Sequence, residues 1–250
     1  MPEEPLLILE KLKQQYPNAR IALNYSNNWE LLVAVILSAQ CTDKRVNIVT
    51  ETLFPKYRNA DIPSLPNNPN YPNPSPEIKQ IINFAEVPIE ELETDIKSTG
   101  FYHNKAKNIQ AAAKMVLEKF NGNVPRTMDE ILTLPGVARK TANIVLGNAY
   151  GVVEGIAVDT HVRRLSQRLG FTKHNDPEKI EKDLMKLFPK NEWLTLTYYL
   201  IEHGRAICDA KKPKCDQCIL NQLCPSAYTF RHVAHLNHPR SNFKHQTSTT

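Results

Sequence analysis

Residues 127–146 constrain what this chain can fold into more than any other stretch. Thr127 followed by Glu130 has the spacing of a capping box and opens a short helix through Ile131, Leu132 and Leu134. Pro135-Gly136 stops that helix, because proline cannot continue it and glycine tolerates the turn. From Arg139 a second helix runs through Ala142, Ile144, Val145 and Leu146. The expected product is helix, tight hairpin, helix. Backbone N–H groups of the hairpin, around Gly136 and Ala138, and of the second helix's first turn then lack intrahelical partners. Such a corner suits an anion, and a DNA phosphate fits it. Leu134-Pro135-Gly136-Val137 alone would equally describe an ordinary helix–helix turn. Lys140 tips the balance, since the positive end of a helix discourages protonation of an amine placed there.

At 250 residues the chain can bury one large core or two modest ones. It has only eight glycines and few runs of β-branched alternation, so the fold is expected to be all-α. A formal charge of +5 suits a polyanionic partner without requiring one. No run approaches the roughly 18 apolar residues of a membrane span. The opening Met1-Pro2-Glu3-Glu4-Pro5 lacks the basic region and apolar run of a secretory signal. These features predict an intracellular protein, cytoplasmic or nucleoid-associated if prokaryotic, with no membrane partner.

Taken in order, Leu6 to Gln15 reads as an amphipathic helix with Leu6, Leu9 and Leu12 on one side. Asn27 or Asn28 can cap a helix from Trp29 to about Ala39 that is apolar nearly all round and therefore expected to be buried. Asp43 reads as the N-cap of the following helix, beginning near Lys44, and Cys41 as a small half-buried residue. Residues 61–88 hold seven of the eighteen prolines and read as an extended surface insertion, with one short helix around Ile78, Ile81 and Ile82. A helix closes at Asp95 to Gly100, and the next begins near Phe101. Lys105 and Lys107 on it are candidate phosphate contacts or a solvated face, and Arg139 joins them as a basic candidate. Asp159 or Thr160 caps a helix with Val162, Leu165 and Leu169 inside and Arg163, Arg164 and Arg168 outside. Pro177 opens another after Asp176, and Trp193 to His203 form the last long one. The tail 229–250 carries half the histidines and no acid, and is expected to be disordered with weak affinity for nucleic acid.

Cys208, Cys215, Cys218 and Cys224 are spaced C-x6-C-x2-C-x5-C. Thiols stay reduced inside cells, so four of them this close are expected to be metal ligands and not disulfides. The spacing alone does not separate structural zinc from an iron–sulfur cluster. Lys211, Lys212 and Lys214 around Pro213 make a basic projection that is either a solvated loop or a clamp on a nucleic-acid backbone.

Several of these stretches together resemble the helix-hairpin-helix DNA glycosylases of the endonuclease III type. They are Leu134 to Asn143, Ile156-Ala157-Val158-Asp159-Thr160-His161-Val162, Trp29 to Asp43 and the four-cysteine loop. The resemblance spans most of residues 1–228 apart from 61–88. It implies two helical domains flanking a DNA-binding cleft. One is a six-helix barrel over 23–152, with the helix-hairpin-helix at about 129–149 and the insertion at about 61–88. The other combines 1–22 with 153–228 and carries the cluster, which the resemblance makes a [4Fe-4S] centre. It further implies that Gln40 enters the DNA stack beside the base left without its partner. Phe101, which could otherwise be plain core, stands where the family places a bulky wedge. At the second hairpin position the family usually has glycine, and this chain has Ala138. If φ is positive there, alanine costs about 1 kcal/mol and weakens DNA affinity.

The chemistry implied needs a nucleophile for the anomeric carbon of a flipped nucleotide and an anion to manage the charge that develops. Lys140 is the expected nucleophile, helped by the helix N-terminus and by partial burial; Asp159 is its carboxylate partner, unless it only caps a helix. The expected partner is double-stranded DNA containing damaged pyrimidines or abasic sites, engaged by a monomer. The expected function is that of a bifunctional glycosylase and abasic-site lyase of base excision repair. Two alternatives remain at this stage. A monofunctional adenine-mismatch glycosylase would lack the hairpin lysine, and a non-enzymatic DNA-binding module stapled by metal would not require Lys140 and Asp159 together.

Overall fold

The computed structural model describes residues 3–60, 71 and 73–229; within them every regular element is helical. The α-helices are α1 (Glu3–Gln15), α2 (Asn28–Leu37), α3 (Asp43–Asn59), α4 (Pro76–Glu86), α5 (Ile89–Ile96), α6 (Tyr102–Phe120), α7 (Met128–Ile131), α8 (Arg139–Tyr150), α9 (Thr160–Arg168), α10 (Pro177–Leu187) and α11 (Trp193–Ala206). Residues 230–250 of the expected tail, and residues 61–70 and 72 of the proline-rich segment, lie outside the described residues. No described helix is long and apolar enough to cross a membrane.

Two hydrophobic cores form. The first surrounds α2, whose residues from Trp29 to Leu37 are all buried, and draws on α3 through α8. The all-round apolarity of α2 leaves it no face for solvent, so its neighbours wrap it. The second gathers Ile8, Leu9 and Leu12 of α1 with Val162 and Leu165 of α9, Ile180 and Leu184 of α10, Leu196 and Leu200 of α11, and Leu220. The beginning of the chain thus packs with its last third.

Local signals set most helix starts. The Asn27 side chain accepts from the Glu30 N–H at 2.8 Å, and Asp176 caps α10 with Pro177 in its first turn. Two expectations are corrected. Thr42, not Asp43, caps α3, and Asp43 instead pairs with Arg205 at 2.6 Å. Of the segment 61–88, residues 76–86 are no surface insertion. They form α4, whose Ile81 and Phe84 are fully buried, with Phe84 stacked on Tyr57 at 4.3 Å between ring centroids. This is the short helix expected around Ile78, Ile81 and Ile82, capped by Ser75 and begun by Pro76; only its burial departs from the expectation.

Glu30 on α2 holds this first core in register. Its side chain is 1 % exposed and accepts from Ser26 N–H (2.8 Å), Ser26 Oγ (2.6 Å), Gln80 Nε2 (2.9 Å) and Arg58 Nη2 (2.5 Å). Burial by itself would raise this carboxyl's pKa. The bonds from Ser26, Gln80 and Arg58 outweigh it and hold the carboxyl below its ordinary range. Its stabilisation is therefore present above the ordinary carboxylate range and is lost as the pH falls through the lowered one. Glu30→Ala leaves buried Gln80 with an unpaired donor and is expected to cost about 2 kcal/mol in urea unfolding at pH 7. The deficit should shrink on acidification.

Candidate active site

The short helix α7 ends at Ile131, and the chain turns through Pro135-Gly136 into α8. Gly136 has φ +79, and a Cβ there would sit 2.9 Å from the Asn108 Cβ, so both conformation and space call for glycine. Val137 N–H closes the turn on Leu134 O at 3.2 Å. Ala138 is the N-cap of α8 with φ −95, ordinary extended backbone, and its side chain makes no capping bond. The strain feared for alanine at this position is absent. The first turn of α8 keeps uncapped N–H groups, and Lys140 is its second residue.

Facing this corner is the start of α9. Ile156, Ala157 and Val158 are buried, and Asp159 emerges as the N-cap. Its Oδ1 accepts from the N–H groups of His161 and Val162, both at 2.8 Å. Lys140 from the first core and Asp159 from the second line one cleft of about 800 Å³ with Gln40, Lys44, Arg163 and Arg205. They also share a smaller recess of about 70 Å³ with Ser38, Ala157 and Tyr198. His161 lies beside them with Nδ1 3.1 Å from Arg164 Nη2, which assigns the ring proton to Nε2. Burial pushes its pKa down; Arg164 and Arg205 add to this against the opposing charges of Asp159 and Asp43.

The two walls are fastened by buried polar contacts. Glu181 on α10 accepts from Arg139 Nε at 2.7 Å and from Asn143 Nδ2 at 2.9 Å, both on α8. A Cβ on Gly155 would collide with Glu181 Oε1, so this glycine makes room for the bridge. Asn148 of α8 donates to the Tyr198 hydroxyl of α11 at 2.6 Å.

Beyond α11 the four cysteines line one cavity with Leu165, Arg168, His203 and Leu220. Arg168 donates to Asp209 O (2.7 Å), Ala210 O (2.8 Å) and, more weakly, Cys208 Sγ (3.3 Å). Arg164 Nε donates to Cys208 O at 3.1 Å. Both arginines, expected on the outer face of α9, instead organise the first loop of the cysteine segment. Their partners lie some forty residues away in sequence, so spacing along α9 could not reveal them.

A family model described as HhH-GPD superfamily base excision DNA repair protein matches residues 33–190. A second, the iron-sulfur binding domain of endonuclease III, matches 208–224. The endonuclease III of Synechocystis sp. is 51 % identical over 224 residues, covering 90 % of this chain and 91 % of that protein. The endonuclease III of Bacillus subtilis is 47 % identical over 217 residues, covering 86 % and 89 %. The chain belongs to the endonuclease III family. Among solved structures, an endonuclease III trapped as a covalent intermediate with DNA superposes with a TM-score of 0.78 at 43 % identity, covering 92 % of this chain and 99 % of that one. A thermostable thymine-DNA glycosylase, 21 % identical with a TM-score of 0.72, shares the fold.

Family membership makes the cysteine cage a [4Fe-4S] site. The residues present fit that group. All four cysteines border one cavity, the thiolate set such a cluster takes. The Leu220 N–H approaches Cys218 Sγ at 3.4 Å and the Tyr228 N–H approaches Cys215 Sγ at 3.5 Å, donors suited to cluster-bound thiolates. Burial pushes the Cys218 thiol up to about 11 and raises Cys224, so iron's positive charge is what would keep these sulfurs ionised.

The other candidates divide. Gln40 is exposed in a left-handed turn with φ 53, and Phe101, 62 % exposed, sits in another with φ 50. Phe101 is therefore not core. Lys211, Lys212 and Lys214 are exposed on a loop shaped by Asp209, whose Oδ1 accepts from the Lys211 and Lys212 N–H groups. Lys214 Nζ also donates to Ala206 O at 3.0 Å. Lys105 is a correction. It is 5 % exposed and its ammonium is spent on two backbone carbonyls, so it is no phosphate contact. Burial pushes its pKa down, with Cys41 acting against that. Arg139 is first a partner of Glu181, and its side chain keeps partial exposure. Lys140 is exposed, so the partial burial expected of it is absent here and could come only from bound DNA. Lys44, His161, Arg163 and Arg205 also line the cleft, and no motif in the sequence marks them; only the facing of two cores puts them there.

Cys218→Ala is expected to yield protein with less than about one iron per chain and no broad absorbance near roughly 400 nm. Iron analysis and the visible spectrum check this, and the protein should also lose C-terminal protection in hydrogen exchange.

Proposed function

We propose that Lys140 and Asp159 carry the chemistry of this base excision DNA glycosylase and abasic-site lyase, acting on oxidised pyrimidines and abasic sites in duplex DNA. One observation carries the assignment: the hairpin lysine and the α9-capping carboxylate open into one cleft and one recess from opposite cores. The two cores correspond in this reading to two lobes, residues 23–152 and residues 1–22 with 153–228, and DNA lies across the cleft between them. A single chain completes the cleft, which supports a monomer working on DNA inside the cell.

The unprotonated Lys140 amine attacks C1′ of the flipped nucleotide as the glycosidic bond breaks and the base leaves with its electron pair. The amine sheds protons, the sugar ring opens and a Schiff base forms between Nζ and C1′. The iminium acidifies C2′; loss of that proton breaks the C3′–O bond and expels the 3′ strand by β-elimination. Water then frees Lys140. Asp159 has Oδ1 committed to two backbone N–H groups, so its second oxygen is the one available to steer protons and to stabilise oxocarbenium-like charge. The covalent DNA complex named for a 43 %-identical relative supports a lysine route over a monofunctional one. Gln40 and Phe101 fill the space left when the damaged nucleotide is expelled, a step that costs least at pairs already weakened. The uncapped first turn of α8, with Gly136 and Ala138, takes a phosphate.

Lys140→Ala is expected to abolish borohydride trapping and strand cleavage while DNA binding persists; normal trapping in that variant would refute the nucleophile. Asp159→Asn preserves an oxygen for the cap and should slow single-turnover base release on the order of 100-fold or more. Its thermal stability should stay near that of the parent. Changing Lys211, Lys212 and Lys214 together to Ala should flatten the salt slope of log K by about 0.9 per lost phosphate contact, equally for damaged and undamaged duplex. An unchanged slope would return the loop to a solvated face.

A further inference from the structure

Lys105 is a buried cation that neither the chemistry nor the phosphate contacts use. It stands in the first turn of α6, and its ammonium donates to Leu37 O at 2.8 Å and to Thr99 O at 2.9 Å. Leu37 is the last residue of α2, three residues before Gln40. Thr99 ends the 3-10 turn Lys97–Thr99, two residues before Phe101. The carbonyl ends of two helical elements, both carrying partial negative charge, therefore meet on one ammonium. Each element then leads directly into a left-handed, exposed, non-glycine residue, Gln40 with φ 53 and Phe101 with φ 50. Such conformations are uncommon for side chains of this size and persist only where surrounding bonds over-determine them. Among the described residues, the Lys105 side chain bonds to the end of both elements from which these turns depart.

We propose that Lys105 is a positioning residue that ties the Gln40 and Phe101 turns into one rigid device for opening the duplex. The two side chains then enter DNA at a fixed separation, and neither turn can relax alone. This rests on the reading of Gln40 and Phe101 as the residues that enter the stack. A free loop would lose orientation on contact with the bases, and misplacement by an ångström is enough to cost large factors in rate.

The test compares Lys105→Met, which keeps the buried stem and removes the charge and donors, with wild type and with Lys105→Arg. Opening is read from the fluorescence of a 2-aminopurine placed opposite the lesion, and rate from single-turnover strand cleavage. Two substrates are used: an abasic site paired in duplex, and one in a single-nucleotide bulge that is extruded without help. The expected result for K105M is a loss on the order of ten-fold or more on the paired substrate, with a matching loss of the fluorescence change. On the bulge the loss should be several-fold smaller, and K105R should recover part of the paired activity. A parallel fall on both substrates would make Lys105 merely structural and overturn the inference, as would no loss on either. If K105M does not purify folded, Lys105→Leu, which also lacks any donor, gives the same comparison, and wild-type opening in it overturns the proposal. Gln40→Ala and Phe101→Ala run alongside. If neither changes the fluorescence, the reading of these two residues fails; if both do and K105M does not, the brace alone fails.

Discussion

Glu181 is the contact on which the rest of this molecule depends. It is a buried carboxylate on α10, in the second core, and it accepts from Arg139 and Asn143 on α8, in the first. Lys140 lies between those two residues in sequence, so the bridge that joins the cores also sets the direction in which Lys140 faces. A buried ion pair contributes little net stability once desolvation is counted, but breaking one side of it is costly. Its use here is geometric. Arg139 and Asn143 each give one N–H to a different oxygen of Glu181, and Gly155 leaves no Cβ in the way.

The cleft follows from that alignment. Lys140 and Asp159 belong to helices that start on opposite walls, and each helix start presents backbone N–H groups. On the α9 side Asp159 absorbs two of them, which orders the carboxylate. On the α8 side no side chain does, which leaves that turn open to an anion. Two similar helix N-termini thus have opposite duties because one begins with aspartate and the other with alanine. The basic side chains Lys44, Arg163 and Arg205 around the cleft add a field that draws a polyanion toward both.

The cysteine cage is linked to the same frame through α9. That helix begins at Asp159 and ends at Arg168, whose guanidinium holds the carbonyls of the first cysteine loop. The exposed lysines at the tip of that loop are therefore placed relative to the carboxylate by nine residues of helix. A cluster that stiffens the loop also fixes the position of those charges relative to α9.

The sequence by itself determined what rests on near neighbours. Helix class, helix starts to within a residue at 27–28, 159–160 and 176–177, the hairpin with its lysine and the four-cysteine spacing are all short-range matters of conformational preference and hydrogen bonding. Tertiary structure alone decided the rest. Lys105 read as a surface cation because its acceptor Leu37 lies 68 residues away. Arg164 and Arg168 sit on what patterning makes the outer face of α9, until a loop forty residues on folds over them. Ile78, Ile81 and Ile82 indicated α4, but the proline density around it concealed that the helix is packed into the first core and not exposed on an insertion. In each case the deciding partner is a backbone carbonyl or a core brought close only by the fold. A charge pattern along one helix carries no information about such a partner.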